Sequence, residues 1–141
     1  MKKQRGNVMS QIDSPIKNNS ILERWKKEVI TGNQCLIKKD FDEAACRYEL
    51  ARQSAETVFK EWLNPYEAAS ALVVTYHNIA DLQRKMGNSE GVHFYLEKVH
   101  KTVLKTLLAT SVDDQRFYSL LCASKRTYKA LLSYKKCGVY S

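Results

Sequence analysis

The sequence holds 141 residues, of which 44% are hydrophobic, and contains only 5 glycines and 2 prolines. This composition predicts one globular, helix-rich domain and excludes a disordered chain. No apolar run approaches the ~20 residues of a membrane span, and residues 4–19 lack the apolar centre of ~7–15 residues that a secretory signal has. We therefore expect a cytoplasmic protein that does not engage a membrane.

The net charge of +8 is distributed unevenly along the chain. Residues 1–30 hold seven basic and three acidic residues, whereas residues 31–114 hold ten basic and twelve acidic ones. Residues 115–141 hold six basic residues and no acidic one. Electrostatic attraction of a partner is therefore expected from the two ends of the sequence.

The first segment of the chain differs in pattern from the rest. Residues 1–19 are polar, show no helical period and contain Ser14-Pro15, so we predict a flexible basic tail. Residues 20–138 repeat the pattern of apolar stripes between helix caps, which predicts one all-helical domain. No strand pattern interrupts it.

Helix 1 is predicted from a capping box and contains an unusual glycine. Ser20 with Glu23 three residues later opens the helix, which extends to about Lys38. Gly32 lies within it, and an interior glycine costs about 1 kcal/mol of helix stability relative to alanine. We expect that Gly32 is there because a neighbouring helix approaches closely.

Helices 2 and 3 are delimited by caps and turns. Asp40 and Glu43 open helix 2, which extends to about Leu63. Asn64-Pro65 ends that helix and starts helix 3. Gly87 stops helix 3, since glycine commonly follows the last turn of a helix.

Helices 4 and 5 follow the same logic. Residues 88–90 restart the chain, and Ser111 with Asp114 caps helix 5, which ends near Cys137-Gly138. The fold class is therefore all-α, with about five antiparallel helices stacked as hairpins and the last helix closing the stack. The second side of that helix can alternatively form a homodimer; its apolar residues are Leu120, Leu132 and Tyr134.

A weak internal repeat links helices 2 and 4. Its members share an offset of 48 residues: Ala44, Tyr48 and Ala51 recur as Val92, Leu96 and Val99. Helical repeats of this kind recur at about 34 residues. The surplus of about 14 residues is close to four helical turns, which lengthens a hairpin without rotating its buried face.

At these residues the chain resembles the tetratricopeptide repeat family. The family has a small residue in the first helix, an aromatic residue at the turn, and an alanine–aromatic–alanine series in the second helix. The first unit matches at Gly32, Phe41, Ala44, Tyr48 and Ala51. The second unit keeps Tyr76, Ala80 and Gly87. The resemblance covers roughly residues 22–108.

The resemblance implies a concave groove that grips a peptide between the first helices of successive repeats. In this chain the groove would be lined by Asn33, Leu36, Ile37, His77, Asn78, Asp81 and Lys85. Asn33 and Asn78 match positions that bind a carboxyl-terminal carboxylate in some relatives. Val29 replaces the matching lysine, so that particular binding mode is not expected.

We therefore predict a non-catalytic protein-interaction module: an adaptor, a small chaperone or a regulator. The predicted groove contacts are Asn33, Ile37, Asn78, Arg84 and Lys85. Lys125 and Lys129 would supply positive charge for an acidic protein or peptide partner.

The sequence gives little reason to expect an enzyme, a metal site or a cofactor. His93 and His100 are seven residues apart, which does not suit two metal ligands on one helix. His77 lies four residues before Asp81, a spacing that is more typical of a surface pair. The cysteines have no C-x-x-C spacing and are interpreted as thiols: Cys35, Cys46, Cys122 and Cys137. The first three lie in helical patterns, where a thiol acts as a small apolar residue.

The main alternative is a nucleic-acid-associated regulator that uses the two basic ends. Aromatic and basic residues interleave near the end of the chain: Tyr118, Lys125, Arg126, Tyr128, Lys129, Tyr134, Lys135, Lys136 and Tyr140. Basic residues neutralise phosphates and aromatic rings stack on bases. The same pattern also fits a solvated amphipathic helix.

Overall fold

The computed structural model describes residues 2–140, with side chains for residues 20–136. These residues form five α-helices and no strand, which confirms the predicted all-α fold. The helices span Lys2–Ile37 (α1), Phe41–Glu61 (α2), Ala68–Lys85 (α3), Ser89–Leu108 (α4) and Phe117–Tyr140 (α5). None of the described helices is long and apolar enough to cross a bilayer.

Side-chain caps start α2 and α4 where the sequence predicts them. Asp40 accepts a hydrogen bond from the backbone N–H of Glu43 at 3.3 Å. Asn88 accepts one from the backbone N–H of Gly91 at 3.1 Å. Before Asn88, Gly87 has a φ of +76°, a left-handed conformation that glycine adopts without strain and that ends α3.

The start of α1 differs from the prediction. The helix begins at Lys2, and Ser20 lies inside it. A helix that continues through Ser20 already satisfies the backbone N–H groups that a cap would bond. The side chains of residues 2–19 lie outside those described, so the flexible tail and the domain boundary at residue 20 stay predictions.

The predicted caps of α3 and α5 organise the turns that precede these helices. The Asn64 side chain accepts backbone hydrogen bonds at 2.9 and 3.0 Å, but α3 begins only at Ala68. The Asp114 side chain accepts one from Arg116 at 2.8 Å, and α5 begins at Phe117. At its other end α5 continues through the predicted stop at Gly138.

The five helices form two layers. Each helix packs antiparallel against the next, and α3 also contacts α1 and α5. Helices α1, α3 and α5 therefore form one layer, and α2 and α4 form the other. Within residues 2–140 no Cα atom of α2 comes within 8 Å of one in α4, so the second layer has a gap over α3.

The close approach predicted at Gly32 is confirmed. A Cβ atom placed on Gly32 would lie 2.5 Å from Cε1 of Tyr48. Tyr48 is 1% exposed and Ala44 is fully buried. The ring of Tyr48 therefore occupies the space that the missing side chain leaves between α1 and α2.

Small side chains bring α2 and α3 together. Ala51 and Ala55 of α2 are fully buried, as are Ala68 and Ala71 of α3. They belong to the largest apolar cluster, which also contains Trp25 of α1. This cluster fixes α3 at the centre of the stack, and α3 therefore contributes residues to both faces of the molecule.

Candidate functional site

The first candidate site is the solvent-facing side of the layer that contains α1, α3 and α5. We call it the α1–α3–α5 face. It comprises exposed and half-exposed residues of the three helices and of the turn before α3: Ile30, Asn33, Ile37, Tyr66, Ser70, His77, Asp81, Tyr118, Cys122 and Arg126.

On α1 this face carries exposed apolar side chains. Ile30 is 55% exposed and Ile37 is 78% exposed. Asn33 lies between them at helical spacing, so the three share one side of the helix. An ion pair of 3.7 Å between Lys26, on the same side, and Glu67 places this row beside the start of α3.

Asn33 of α1 has a hydrogen-bond partner on α2. The Tyr48 hydroxyl donates a hydrogen bond of 2.5 Å to Asn33 Oδ1. Burial and, to a smaller extent, the negative charge of Asp81 raise the pKa of Tyr48 to about 12. Tyr48 therefore stays protonated, and the Asn33 amide NH₂ group is left to donate to a ligand.

A cleft of about 240 Å³ lies between α3 and α5 on the same face. Tyr66 and Tyr118, at its rim, are 89% and 74% exposed. The walls between them consist mainly of small side chains: Ala69, Ser70, Val73, Ser119, Cys122 and Ala123. Arg126 adds a positive charge to the lining, so the cleft suits an apolar group next to an acid.

His77 lies half-buried on this face, and its Nε2 atom is buried without a hydrogen-bond partner among the described residues. Burial lowers the pKa of His77, and the nearby positive charge of Arg126 lowers it further. The carboxylate of Asp81 acts in the opposite direction. The neutral imidazole is therefore the favoured form in the folded protein.

The lowered pKa of His77 predicts a loss of stability in mild acid. A histidine that protonates less readily when folded favours the unfolded chain as pH falls through and below its ordinary value of about 6.5. We expect the free energy of unfolding to decrease between pH 7.5 and pH 5.5, and His77→Gln to reduce that decrease. Urea unfolding at both pH values measures it. A pH dependence that is unchanged in the variant would contradict the assignment to His77.

The structure places only some of the predicted contact residues close to one another. Asp81, which lies near Tyr48 and hence near Asn33, forms an ion pair with Arg84. The other predicted residues on α3 and α5 are half-buried (Asn78) or exposed (Lys85, Lys125 and Lys129). Within residues 20–136 none of these three lysines forms an ion pair that would connect it to Asp81, next to Tyr48 and Asn33.

The apolar side predicted for α5 is smaller than the sequence indicates. Leu120 is fully buried, and Leu132 is 38% exposed. Tyr134 is half-buried and donates its hydroxyl to the backbone oxygen of Ser89 at 2.8 Å. Because two of its three residues are engaged within the chain, this side offers little surface for the predicted homodimer.

Histidines and cysteines are the candidate metal ligands of the sequence, and the structure gives the surroundings of most of them. Among the described residues, no group of three metal-ligating side chains occurs. His93 pairs with Glu97 at 3.0 Å and His100 contacts Thr127 at 2.9 Å, so each is occupied locally. Cys46 and Cys122 are exposed free thiols, so neither packs as the small apolar residue that the sequence analysis predicts.

The structure contains a second concave site that the sequence analysis did not predict. It lies over α3 in the gap between α2 and α4, and we call it the α2–α4 groove. Its lining is Arg52, Glu56, Phe59, Lys60, Trp62, Leu72, Tyr76, Lys98, Thr102, Thr106 and Arg116. Phe59, Trp62 and Tyr76 fit the apolar stripes of α2 and α3, so their spacing indicates a core position equally well.

The comparisons with known proteins give one match. A family described as a protein of unknown function (DUF2753) matches residues 23–138, so the chain belongs to that family. No match was found among the curated proteins or among the solved structures.

Proposed function

We propose that this protein is a non-catalytic protein-interaction module of the cytoplasm, a tetratricopeptide-like adaptor, small chaperone or regulator. It binds a peptide or helix of a partner on the α1–α3–α5 face. The observation that carries the proposal is that four large apolar side chains are exposed around the cleft and along α1 on this layer: Ile30, Ile37, Tyr66 and Tyr118.

Exposed apolar side chains that cluster on one side of a folded domain are typical of an interaction surface. Ile30 and Ile37 project two turns apart on α1, and Tyr66 and Tyr118 flank the cleft between α3 and α5. Tyrosine is among the residues that interfaces favour, because it offers apolar area and a polar end. The face therefore provides anchoring points on both of its sides.

The charges of α5 favour an acidic partner. Lys125, Arg126 and Lys129 are exposed and form no ion pair within residues 20–136. Residues 117–136 contain no acidic residue that could neutralise them. A partner with acidic residues next to apolar ones would complement both the lysines and the cleft.

Site-specific photocrosslinking in the native cell tests the location of the binding face. A photoreactive amino acid at Ile37 or at Tyr118 should crosslink to the same partner protein. The matched control is Leu108, which is 78% exposed but lies at the end of α4 in the other layer. Equal crosslinking from Leu108, or none from the two face positions, would contradict the proposal.

Charge reversal at Lys125 and Lys129 is expected to weaken binding of that partner roughly ten-fold. Each exposed ion pair contributes about 0.2–1 kcal/mol, and a glutamate replaces attraction by repulsion. The matched control is Lys101→Glu with Lys105→Glu, which reverses two exposed lysines at the same spacing on α4. Titration calorimetry gives the affinities, and circular dichroism verifies that both variants are folded.

Two outcomes would contradict the charge argument. The first is equal binding by the α5 variant and the α4 control. The second is crosslinking of nucleic acid instead of protein at Tyr118, with retention of DNA or RNA that falls steeply as salt rises. That second result would support the alternative of a nucleic-acid-associated regulator.

A further inference from the structure

The α2–α4 groove is a concave site on the side of the molecule opposite the proposed protein-binding face. Its volume is about 450 Å³, larger than that of the cleft between α3 and α5. This volume lies within the roughly 300–1,000 Å³ that is typical of small-molecule sites. The groove follows α2 from Arg52 to Trp62, about 15 Å at a rise of 1.5 Å per residue.

The floor and one wall of the groove are apolar and aromatic. Leu72 and Tyr76 of α3 form part of the lining although each is at most 3% exposed. Phe59 and Trp62 meet edge to face, with ring centroids 6.0 Å apart. Aromatic rings prefer offset or edge-to-face contacts with other rings, so these side chains favour a flat aromatic ligand.

The single acidic residue of the lining is hydrogen-bonded to two neighbouring side chains. Glu56 Oε2 accepts a hydrogen bond of 2.5 Å from the Tyr76 hydroxyl and one of 2.7 Å from Arg52. Burial and the hydrogen bond to Glu56 raise the pKa of Tyr76, so the tyrosine remains a donor. Arg52 also pairs with Glu49, so one guanidinium is shared by two carboxylates at this end of the groove.

Four basic side chains and one acidic one line the groove. The pKa of the Glu49 carboxyl is lowered mainly by Arg52, and Lys98 is close enough for its charge to contribute. Lys60 and Lys98 are exposed and form no ion pair within residues 20–136. Arg116 lies 5.9 Å from the Trp62 ring centroid and pairs only with Asp114, at 2.9 Å. An anionic ligand is therefore attracted to the groove, and a cationic one is repelled.

We infer that the α2–α4 groove binds a compact aromatic carboxylate, a small molecule whose ring packs on Phe59, Trp62 and Tyr76. Its carboxylate pairs with Lys60 or Lys98 at the rim. A small molecule is favoured over a protein segment because stable protein interfaces bury about 800 Å² per partner. A groove about 15 Å long does not supply that area.

The experiment uses the full chain and the fluorescent probe 1-anilinonaphthalene-8-sulfonate, which combines aromatic rings with one negative charge. We expect it to bind and 2-naphthoate to displace it. The neutral amide, 2-naphthamide, should displace it at least five-fold less well. Equal displacement by the acid and the amide would overturn the assignment of an anionic ligand.

A steric variant locates the probe. Thr102 is exposed on the α4 side of the groove, so Thr102→Phe fills the groove without removing a core residue. It should weaken probe binding at least ten-fold. Lys105→Phe is the matched control, since Lys105 is exposed on α4 but does not line the groove. Equal affinity in the two variants would place the probe elsewhere and overturn the proposal.

Two further variants keep the result interpretable. Should Thr102→Phe not fold, Thr106→Phe fills the same groove one turn later. Lys60→Glu with Lys98→Glu should weaken 2-naphthoate about five-fold and leave 2-naphthamide unchanged. The α1–α3–α5 face plays no part in these measurements, so they can fail while the crosslinking experiment succeeds, and the reverse.

Discussion

Replacement of Gly32 by valine is expected to lower the free energy of unfolding by about 3 kcal/mol. The new Cβ atom would lie 2.5 Å from Cε1 and 2.6 Å from Cδ1 of Tyr48. This ring is 1% exposed and its hydroxyl is bonded to Asn33, so it has no space into which it can move. Urea unfolding followed by circular dichroism measures the loss.

Gly91→Ala is the matched control for this substitution. A Cβ atom on Gly91 would meet the ends of two flexible polar side chains, those of half-buried Gln83 and exposed Asn88, which can shift at the cost of the hydrogen bonds of Asn88. Alanine is also the better helix former by about 1 kcal/mol. We expect a loss of at most about 1 kcal/mol in Gly91→Ala, because the better helix propensity of alanine offsets a weakened Asn88 cap. A similar loss in both variants would show that close packing is not what requires glycine at position 32.

The Gly32 contact also shows what the sequence could establish about the fold. A glycine inside an apolar helical stripe has few explanations, and an aromatic residue followed by alanine in the next helix supplied the partner. Caps at Asp40 and Asn88 are local, since the side chain bonds a backbone N–H three residues later. These two local caps were predicted correctly, whereas the helix start at Ser20 and the helix end at Gly138 were not.

The α2–α4 groove could not be predicted for a physical reason. An apolar stripe shows that one side of a helix is covered, but the spacing does not show by which helix or how completely. Phe59 and Trp62 fit the stripe of α2, yet they are half-buried because α4 does not reach across to them. The separation of two helices that are not consecutive depends on how both pack on α3.

The predicted contact residues illustrate the same limit. Exposure of Ile37, Lys125 and Lys129 follows from the position of each residue on its helix, and the structure shows it. The engagement of Asn33 by Tyr48 depends on the reach of a side chain from another helix, which the sequence does not reveal. Leu120 was assigned to the free side of α5 but is fully buried. The buried surface of α5 is wider than the spacing of its apolar residues indicates.

The attachment of α1 to α3 depends on one buried hydrogen bond as well as on apolar contacts. The indole N–H of Trp25 donates to the Thr75 hydroxyl oxygen at 2.7 Å, and that hydroxyl donates to the backbone oxygen of Ala71 at 2.7 Å. Thr75 is fully buried and Trp25 is 8% exposed. Water therefore cannot replace either partner without a change of packing.

Thr75→Val is expected to lower the free energy of unfolding by about 2 kcal/mol, because it leaves the buried indole N–H of Trp25 without an acceptor. Thr75→Ser keeps the hydroxyl and loses one methyl group, so its loss should be nearer 1 kcal/mol. In a Trp25→Phe background the N–H is absent, and the effect of Thr75→Val should nearly vanish. Urea unfolding of the original protein, Thr75→Val, Trp25→Phe and the double variant gives the coupling energy between the two residues. We expect about 1–2 kcal/mol if the hydrogen bond holds α1 on α3. Additive effects would instead assign the stability of this contact to apolar packing alone.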